Sequence, residues 1–133
     1  YKKYFDESEY FFIKDTRYPF INNKTIESAI KTIQIFQANS LISVRPDNRR
    51  FFIKTKEGLS DISEQENFTK LERHDLYRYA GGIIVLNNKC FKVEKSFATS
   101  NATHLIISRL EEYFLNDKSD FSIAEYVYKK SLK

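Results

Sequence analysis

The stretch EYFFIKDTRYPFINNKTIESAIKTIQIFQANSLISV, residues 9–44, decides the fold class. It opens with a short apolar run of aromatic and β-branched side chains, which predicts a buried strand. Pro19 removes a backbone donor and disfavours helical geometry at the residue before it, so a loop follows the strand. Asn22 and Asn23 can then cap a helix from about residue 24 to 38, because apolar side chains recur there with the helical period.

The run LISV at the end of this stretch predicts a second strand. The order strand, helix, strand predicts a parallel βαβ unit with a right-handed crossover, and therefore an α/β fold. The sequence contains no internal repeat and no interdomain linker, so residues 1–133 are expected to form one domain.

Two further strands are predicted downstream. FFIK at residues 51–54 is a strand candidate that a KEG turn would end, and GGIIVL at 81–86 is a glycine-led strand that ends at Asn87. The polar segment 59–69 has no sustained period, which indicates an exposed excursion or a partner-contacting arm. We therefore expect a dimerisation excursion over about residues 55–76.

Residues 100–116 are ambiguous, because their apolar side chains fit one helix face and also fit two short strands at 105–107 and 113–115. The last element is predicted to be a helix with Asp117 or Ser119 as its N-cap. The helix would end on two lysines, which is the charge that a helix C-terminus favours.

Composition narrows the class of protein. The 133 residues include 22 basic and 18 acidic ones, interleaved, for a formal net charge of +4. Basic runs are no longer than pairs, so a nucleic-acid surface is not predicted. The single cysteine, Cys90, cannot form an internal disulfide, which favours a cytoplasmic protein. No apolar stretch reaches roughly 18 residues, so no membrane span is predicted, and no signal peptide is visible. Because the chain begins with Tyr1 and contains no Met, we expect it to be a fragment.

Generic catalytic motifs are absent from the sequence. Neither a GxGxxG loop nor a GxxxxGK(S/T) loop occurs among the three glycines, and there is no nucleophile elbow. Cys90, His74 and His104 lack the spacing of zinc ligands. No catalytic residue is therefore assigned.

Basic residues at strand ends and in loops are the remaining candidates for chemistry. Lys14 and Lys54 each close an apolar strand, and ligands of open α/β sheets gather at the carboxyl ends of strands. With Arg17 and Arg73 they could meet an anionic substrate. The alternative is that each lysine reaches into solvent where its strand ends.

Oxygen-bearing side chains near the C-terminus could hold a hard cation. Asn116, Asp117 and Asp120 are the residues of this candidate metal site. Capping of the last helix by the same side chains is the alternative.

Taken in order, these segments resemble the later part of acylneuraminate cytidylyltransferases, which join CTP to sialic acid. IKDTRYPF at residues 13–20 is similar to the family's strand end and Q-P-T-S-P-L-R loop. TIESAI at 25–30 and SLISV at 40–44 are similar to its I-x-x-A-I helix and S-V-V-S-V strand. Other similar segments are RFFIK at 50–54, RHDL at 73–76, AGGII at 80–84 and FLNDKSDFSIAE at 114–125.

The resemblance implies part of a Rossmann-like nucleotide-diphospho-sugar transferase fold of the GT-A-like type, with three layers and a mixed sheet. It favours strands over a helix before Asn116. The implied reaction is transfer of CMP from CTP to a sialic-acid-like acidic sugar with release of pyrophosphate. CTP and the acidic sugar are the implied partners, Mg²⁺ the implied cofactor and a homodimer the implied assembly. The loop that grips the CTP phosphates is not in this sequence, so the chain alone is expected to be inactive.

The resemblance also assigns substrate-binding residues. Lys54 and Arg73 match positions that contact the substrate, and an arginine can grip a carboxylate with two parallel hydrogen bonds. Thr16 keeps the loop hydroxyl that would face the ligands. The set is completed by residues of the matching loop and strand, namely Lys14, Arg17 and Gly81.

The chain departs from the family pattern at the metal site and in the matching loop and strand. The aspartates of the D-I-D motif fall on Phe114 and Asn116. Lys14 stands where the family has Gln, Asp15 where it has Pro and Ala80 where it has Asn.

Three alternatives are therefore open. The substrate could be divergent, the metal site could be shifted to Asp117 or Asp120, or the chain could be a non-catalytic homologue that binds a sugar, nucleotide or partner. A small nucleic-acid-binding α/β domain is a further alternative, supported only by the mild positive charge.

Overall fold

The computed structural model describes residues 9–47, 49, 51–61 and 76–131. The chain divides into two compact units, one formed by Pro46–Arg78 and the other by the residues before and after it. The elements are β1 (Tyr10–Lys14), α1 (Asn23–Phe36), β2 (Ser40–Pro46), β3 (Phe52–Lys54), β4 (Leu59–Asp61), β5 (Tyr77–Asn87), α2 (Asn88–Glu94), β6 (Ala102–Ile106) and α3 (Lys118–Ser131).

The larger unit is built on a four-stranded sheet in the order β1-β5-β2-β6. β1 pairs antiparallel with β5, and β2 pairs parallel with β6. β5 also runs antiparallel to β2, because Asn87 N–H donates to Asn39 O while Ser43, further along β2, bonds to Ile83. The prediction of an α/β fold with a mixed sheet is thus confirmed.

The predicted βαβ unit is only partly observed. β1 and β2 run in the same direction, with α1 between them in the chain, but β5 lies between them in the sheet. The parallel neighbour of β2 is β6, which follows much later in the sequence. The order of elements along the chain therefore predicted the directions of β1 and β2 correctly, but it predicted incorrectly that they are neighbours in the sheet.

The core forms where α1 covers the sheet. Asn22 caps this helix as predicted, since its side chain accepts a hydrogen bond from Thr25 N–H at 3.1 Å. The helix ends at Gln37, which adopts the left-handed conformation (φ 47°). Burial of apolar side chains supplies the main driving force. The buried cluster consists of Ile21, Ala29, Ile33, Ala38, Leu41, Ile83 and Val85.

The smaller unit contains the hairpin of β3 and β4. The predicted strand at residues 51–54 is observed as β3, and the predicted turn is closed by Thr55 N–H donating to Gly58 O at 2.7 Å. β4 was not predicted, since its three residues open the segment that was expected to be an excursion. Most of that excursion, residues 62–75, lies outside the described residues.

Two predictions in the second half of the larger unit need correction. Asn87 ends β5 as expected, but its side chain accepts from Lys89 N–H and Cys90 N–H and so begins α2, a helix that was not predicted. The strand expected at 105–107 is observed as β6, whereas the one expected at 113–115 is wrong. Those residues form irregular structure, because Leu115 N–H donates to the loop at Arg17 O (2.9 Å) and not to a neighbouring strand.

Candidate functional site

The carboxyl ends of β1, β2 and β6 lie at one edge of the larger unit's sheet, because these three strands are parallel. Ligands of open α/β sheets bind at such an edge. Two loops meet there, the one after β1 (residues 15–20) and the one between β6 and α3 (residues 107–117). We call this region the carboxyl edge.

The loop after β1 begins with a tight turn built on Asp15. Its backbone N–H donates to Gly82 O at 2.9 Å, which fixes the loop to β5. Its side chain accepts from the backbone N–H of Arg17 at 2.9 Å, as Asp commonly does in turns. Tyr18 N–H donates to Asp15 O at 3.2 Å and completes the turn. Thr16 is exposed at its tip.

The side chain of Arg17 is held on two sides. Its Nε and Nη2 donate to the Asp15 carboxylate at 3.1 and 2.7 Å, in the forked geometry that makes such pairs specific. Its guanidinium carbon lies 4.7 Å from the ring centroid of Phe114. The hydrogen bonds from Arg17 hold the pKa of Asp15 below its usual value, and Asp15 raises the pKa of Arg17.

Tyr18 packs over the backbone of β5 at Gly81 and Gly82. Both glycines have positive φ, 79° and 87°, which L side chains rarely adopt. A Cβ on Gly81 would overlap the Tyr18 ring, and a Cβ on Gly82 would overlap Ile21, so these two side chains occupy the space that the glycines leave. Burial is the main cause that raises the pKa of Tyr18.

Aromatic contacts dock the two loops onto each other. The rings of Tyr18 and Phe114 lie 5.2 Å apart, and those of Phe20 and Tyr113 lie 6.0 Å apart in an edge-to-face arrangement. Arg17 O accepts the hydrogen bond from Leu115 already described. The conformation of one loop therefore depends on that of the other.

The second loop is also anchored by its acidic residues. Glu111 accepts hydrogen bonds from the Thr25 hydroxyl, at the start of α1, and from Ser108 N–H. Partial burial opposes ionisation of Glu111, but these hydrogen bonds outweigh it and lower its pKa. Arg45 Nε, at the end of β2, lies 3.3 Å from a Glu112 oxygen, close enough for an ion pair but not aligned for a hydrogen bond.

The predicted substrate-binding residues that the structure describes are found in two places. Arg17, Lys14 and Thr16 are exposed at the carboxyl end of β1, and Gly81 lies against Tyr18 of the same loop. Lys54 is exposed at the end of β3, in the smaller unit. Arg73 lies outside the described residues.

The predicted metal ligands are engaged in capping α3. Asp117 accepts from Ser119 N–H and Asp120 N–H at 2.7 and 3.1 Å. Asp120 accepts in return from Asn116 N–H and Asp117 N–H at 2.9 and 3.1 Å. This reciprocal arrangement is a capping box, so the capping alternative is observed.

These side chains do not fit a preformed metal site. The oxygen atoms that face the turn already accept two N–H donors each, and those hydrogen bonds lower the pKa of Asp117. In the part of the chain that the structure describes, no group of three or more His, Cys, Asp or Glu side chains could hold a metal ion. Magnesium binding here stays a prediction.

Sequence reasoning missed Ser43 and Phe114. Ser43 is fully buried, and its hydroxyl bonds to Gly81 O and Ile83 O, which links β2 to the glycine segment. A serine inside the apolar run LISV was the available signal, because a buried hydroxyl needs a partner. Phe114 was noticed only as a departure from the D-I-D motif, and its contact with Arg17 was missed because that contact exists only in the folded chain.

The described helices include none that is long and apolar enough to cross a membrane. No protein-family model matches the chain, and no curated protein matches it.

A solved structure shares the fold. The 4-diphosphocytidyl-2C-methyl-D-erythritol synthase from Anaerococcus prevotii superposes with a TM-score of 0.66 at 10% sequence identity. The match covers 96% of this chain and 64% of that chain, so this chain spans less than two thirds of the neighbour's length. The chain therefore shares the mixed α/β, Rossmann-like fold of this neighbour.

Proposed function

We propose that this chain forms part of a cytidylyltransferase that transfers CMP from CTP to a sialic-acid-like acidic sugar and releases pyrophosphate. The observation that carries the proposal is the carboxyl edge, where an oriented cation, Arg17, stands between two docked loops. The fold adds support, because the neighbour that shares it is named for a diphosphocytidyl product. The ordered segments that resemble acylneuraminate cytidylyltransferases supply the sugar class.

The chain's own residues suit binding and orientation. A carboxylate or phosphate needs a cation with fixed geometry, which Arg17 offers because Asp15 and Phe114 restrain it. The aromatic rings of Tyr18 and Phe114 beside it are partly buried and contact each other, so the ring that faces the guanidinium is itself held in place. Because the carboxylates of Asp117 and Asp120 are held in the cap of α3, no step is assigned to a metal.

The experiment is pyrophosphate release from CTP with a panel of acidic and neutral sugars, run on this chain and on the complete natural protein. We expect release by the complete protein with an acidic sugar and none with its neutral analogue. Lys54→Gln should raise the KM for the sugar, while Lys56→Gln, in the adjacent turn, serves as the matched control. Absence of release with every acidic sugar would refute the enzymatic proposal.

A non-catalytic binding protein is the second candidate. It is favoured by the capping box, because the side chains expected to hold the metal stabilise α3 instead. This candidate predicts that CTP or the acidic sugar binds without any release of pyrophosphate. Calorimetric titration of both ligands beside the release assay separates the two functions.

A homodimer is proposed as the assembly, and the β3–β4 hairpin supports it. Phe52, Ile53 and Leu59 are 54%, 55% and 74% exposed on a hairpin with three residues in each strand. A two-stranded hairpin is marginally stable alone, so a second copy that covers these side chains would stabilise it. Sedimentation velocity should show a dimer that Phe52→Ser with Ile53→Ser dissociates. An unchanged dimer would place the interface elsewhere.

A further inference from the structure

The guanidinium of Arg17 has one edge and one face already occupied. A guanidinium carries five N–H donors in a plane, and the Asp15 carboxylate takes the donor of Nε and one donor of Nη2. Phe114 lies against its face. The side chain is nevertheless 62% exposed. The outer edge, formed by Nη1 and the second donor of Nη2, is therefore presented to solvent in a fixed direction.

Such an edge matches an oxyanion. Two parallel N–H donors fit two oxygens of a carboxylate or phosphate, and restraint of the side chain beforehand lowers the entropy lost when the anion binds. Long arginine side chains on a surface normally lack this restraint. Here the turn at Asp15, the Phe114 ring and the Leu115 hydrogen bond to Arg17 O all fix its position.

We propose that the outer edge of Arg17 binds the anionic group of the ligand, a carboxylate or a phosphate, and that it does so without a divalent metal. The identity of the ligand rests on the proposed function. The metal ligands predicted from the sequence, Asp117 and Asp120, are held by the cap of α3. The positive charge at the carboxyl edge is then supplied by the side chain that Asp15 and Phe114 hold in place.

Asp15 has a second role in this proposal, because it tunes the affinity. Its carboxylate offsets part of the positive charge of Arg17, so an incoming anion is attracted less strongly than by an unpaired guanidinium. Asp15→Asn keeps an oxygen that can accept Arg17 N–H, and the backbone bond to Gly82 is unaffected. The variant removes the negative charge together with the acceptor of the Arg17 Nη2–H bond, so it should change the affinity for the anion, and unchanged binding would contradict a role of Asp15.

The test measures binding of anionic probes to the full chain. Calorimetry gives the affinity, and the NMR signal of the Arg17 Nε–H group reports whether the probe contacts this side chain. N-acetylneuraminate is the carboxylate probe and CTP the phosphate probe, with methyl N-acetylneuraminate ester and cytidine as uncharged controls. Each titration is repeated with Mg²⁺ and with EDTA. A shift of the Arg17 signal with one acid and not with its uncharged control identifies which anion binds.

We expect Arg17→Gln to weaken that anion roughly tenfold or more, since hydrogen bonds to a charged group are lost. Arg109→Gln, an exposed arginine on the facing loop, is the matched control and should change nothing. Thermal unfolding of each variant checks that the fold is kept. Binding that requires Mg²⁺, or that survives Arg17→Gln, would overturn the proposal.

Failure of this inference and failure of the proposed function give different results. If the anion binds at Arg17 but the complete protein releases no pyrophosphate, the inference stands and the enzymatic proposal fails. If pyrophosphate is released with unchanged KM in Arg17→Gln, the enzyme stands and the inference fails.

Discussion

Replacement of Gly81 by alanine tests whether Tyr18 shapes the carboxyl edge. The added Cβ would lie 3.0 Å from Tyr18 Cε1 and closer still to the tyrosine hydroxyl. It would also force an L-residue to adopt φ 79°. Both effects destabilise the folded state, and Tyr18 cannot move freely because its ring contacts Phe114.

The magnitude follows from these two contributions. A left-handed backbone costs an L-residue about 1–2 kcal/mol. Overpacking against a restrained ring costs about 1–3 kcal/mol. The sum, about 2–5 kcal/mol, is a large fraction of the roughly 5–15 kcal/mol by which small domains are stable. The Gly81→Ala variant should therefore unfold at clearly lower urea concentration than the wild type.

A double-mutant comparison isolates the contribution of Tyr18. In a Tyr18→Leu background, the cost of Gly81→Ala should fall toward the backbone cost alone, about 1–2 kcal/mol. If the Leu background leaves the cost of Gly81→Ala unchanged, Tyr18 does not explain the glycine.

Further predictions concern single side chains. Ser43→Ala leaves the buried carbonyls of Gly81 and Ile83 without its hydroxyl and should lower the free energy of unfolding by about 1–3 kcal/mol in urea titration, whereas an unchanged midpoint would contradict this. Asn22→Ala removes the cap of α1 and should cost about 1 kcal/mol, measured in the same way; a neutral result would mean that the cap contributes nothing. The Asp47 carboxyl, which accepts hydrogen bonds from the Arg49 side chain, has its pKa lowered to about 2. The unfolded carboxyl has a pKa of about 3.9, so the contribution of Asp47 to the free energy of unfolding should be complete above about pH 4 and lost as the pH falls through about 2. An NMR titration that shows a pKa of about 4 for Asp47 would exclude the interaction.

A helix was predictable where its own residues carry both the apolar period and the cap. α1 was predicted because its apolar period and its cap, Asn22, lie within the helix itself. α2 was missed because its seven residues are too few to show a period, and because Asn87 can end a strand as well as cap a helix. The end of β5 alone does not distinguish these two roles.

The sheet order was not predictable in the same way. Placement of β5 between β1 and β2 depends on contacts between residues far apart in sequence, such as Lys14 with Ile83. Periodicity reports which face of a strand is buried and not which strand lies beside it. A buried serine in β2 was a partial signal, because its hydroxyl required a partner from another strand.

In the candidate site, too, local features were predictable from the sequence and contacts between distant residues were not. Arg17 was selected from the sequence because cations at the carboxyl edge can meet anionic ligands. Its restraint by Asp15 was encoded two residues away, whereas its contact with Phe114 required the docking of two loops. The sequence could therefore name the cation but not the geometry that makes it useful.

Asp15 and Phe114 are two of the positions where this chain departs from the cytidylyltransferases that it resembles, in which Pro and Asp are expected. Others are Lys14, Ala80 and Asn116. Asp15 and Phe114 contact the same guanidinium. An aspartate at position 114 would compete with Asp15 for Arg17, and a proline at position 15 would remove the backbone donor to Gly82 and the carboxylate together. In the folded chain both departures therefore act on the orientation of one side chain, that of Arg17.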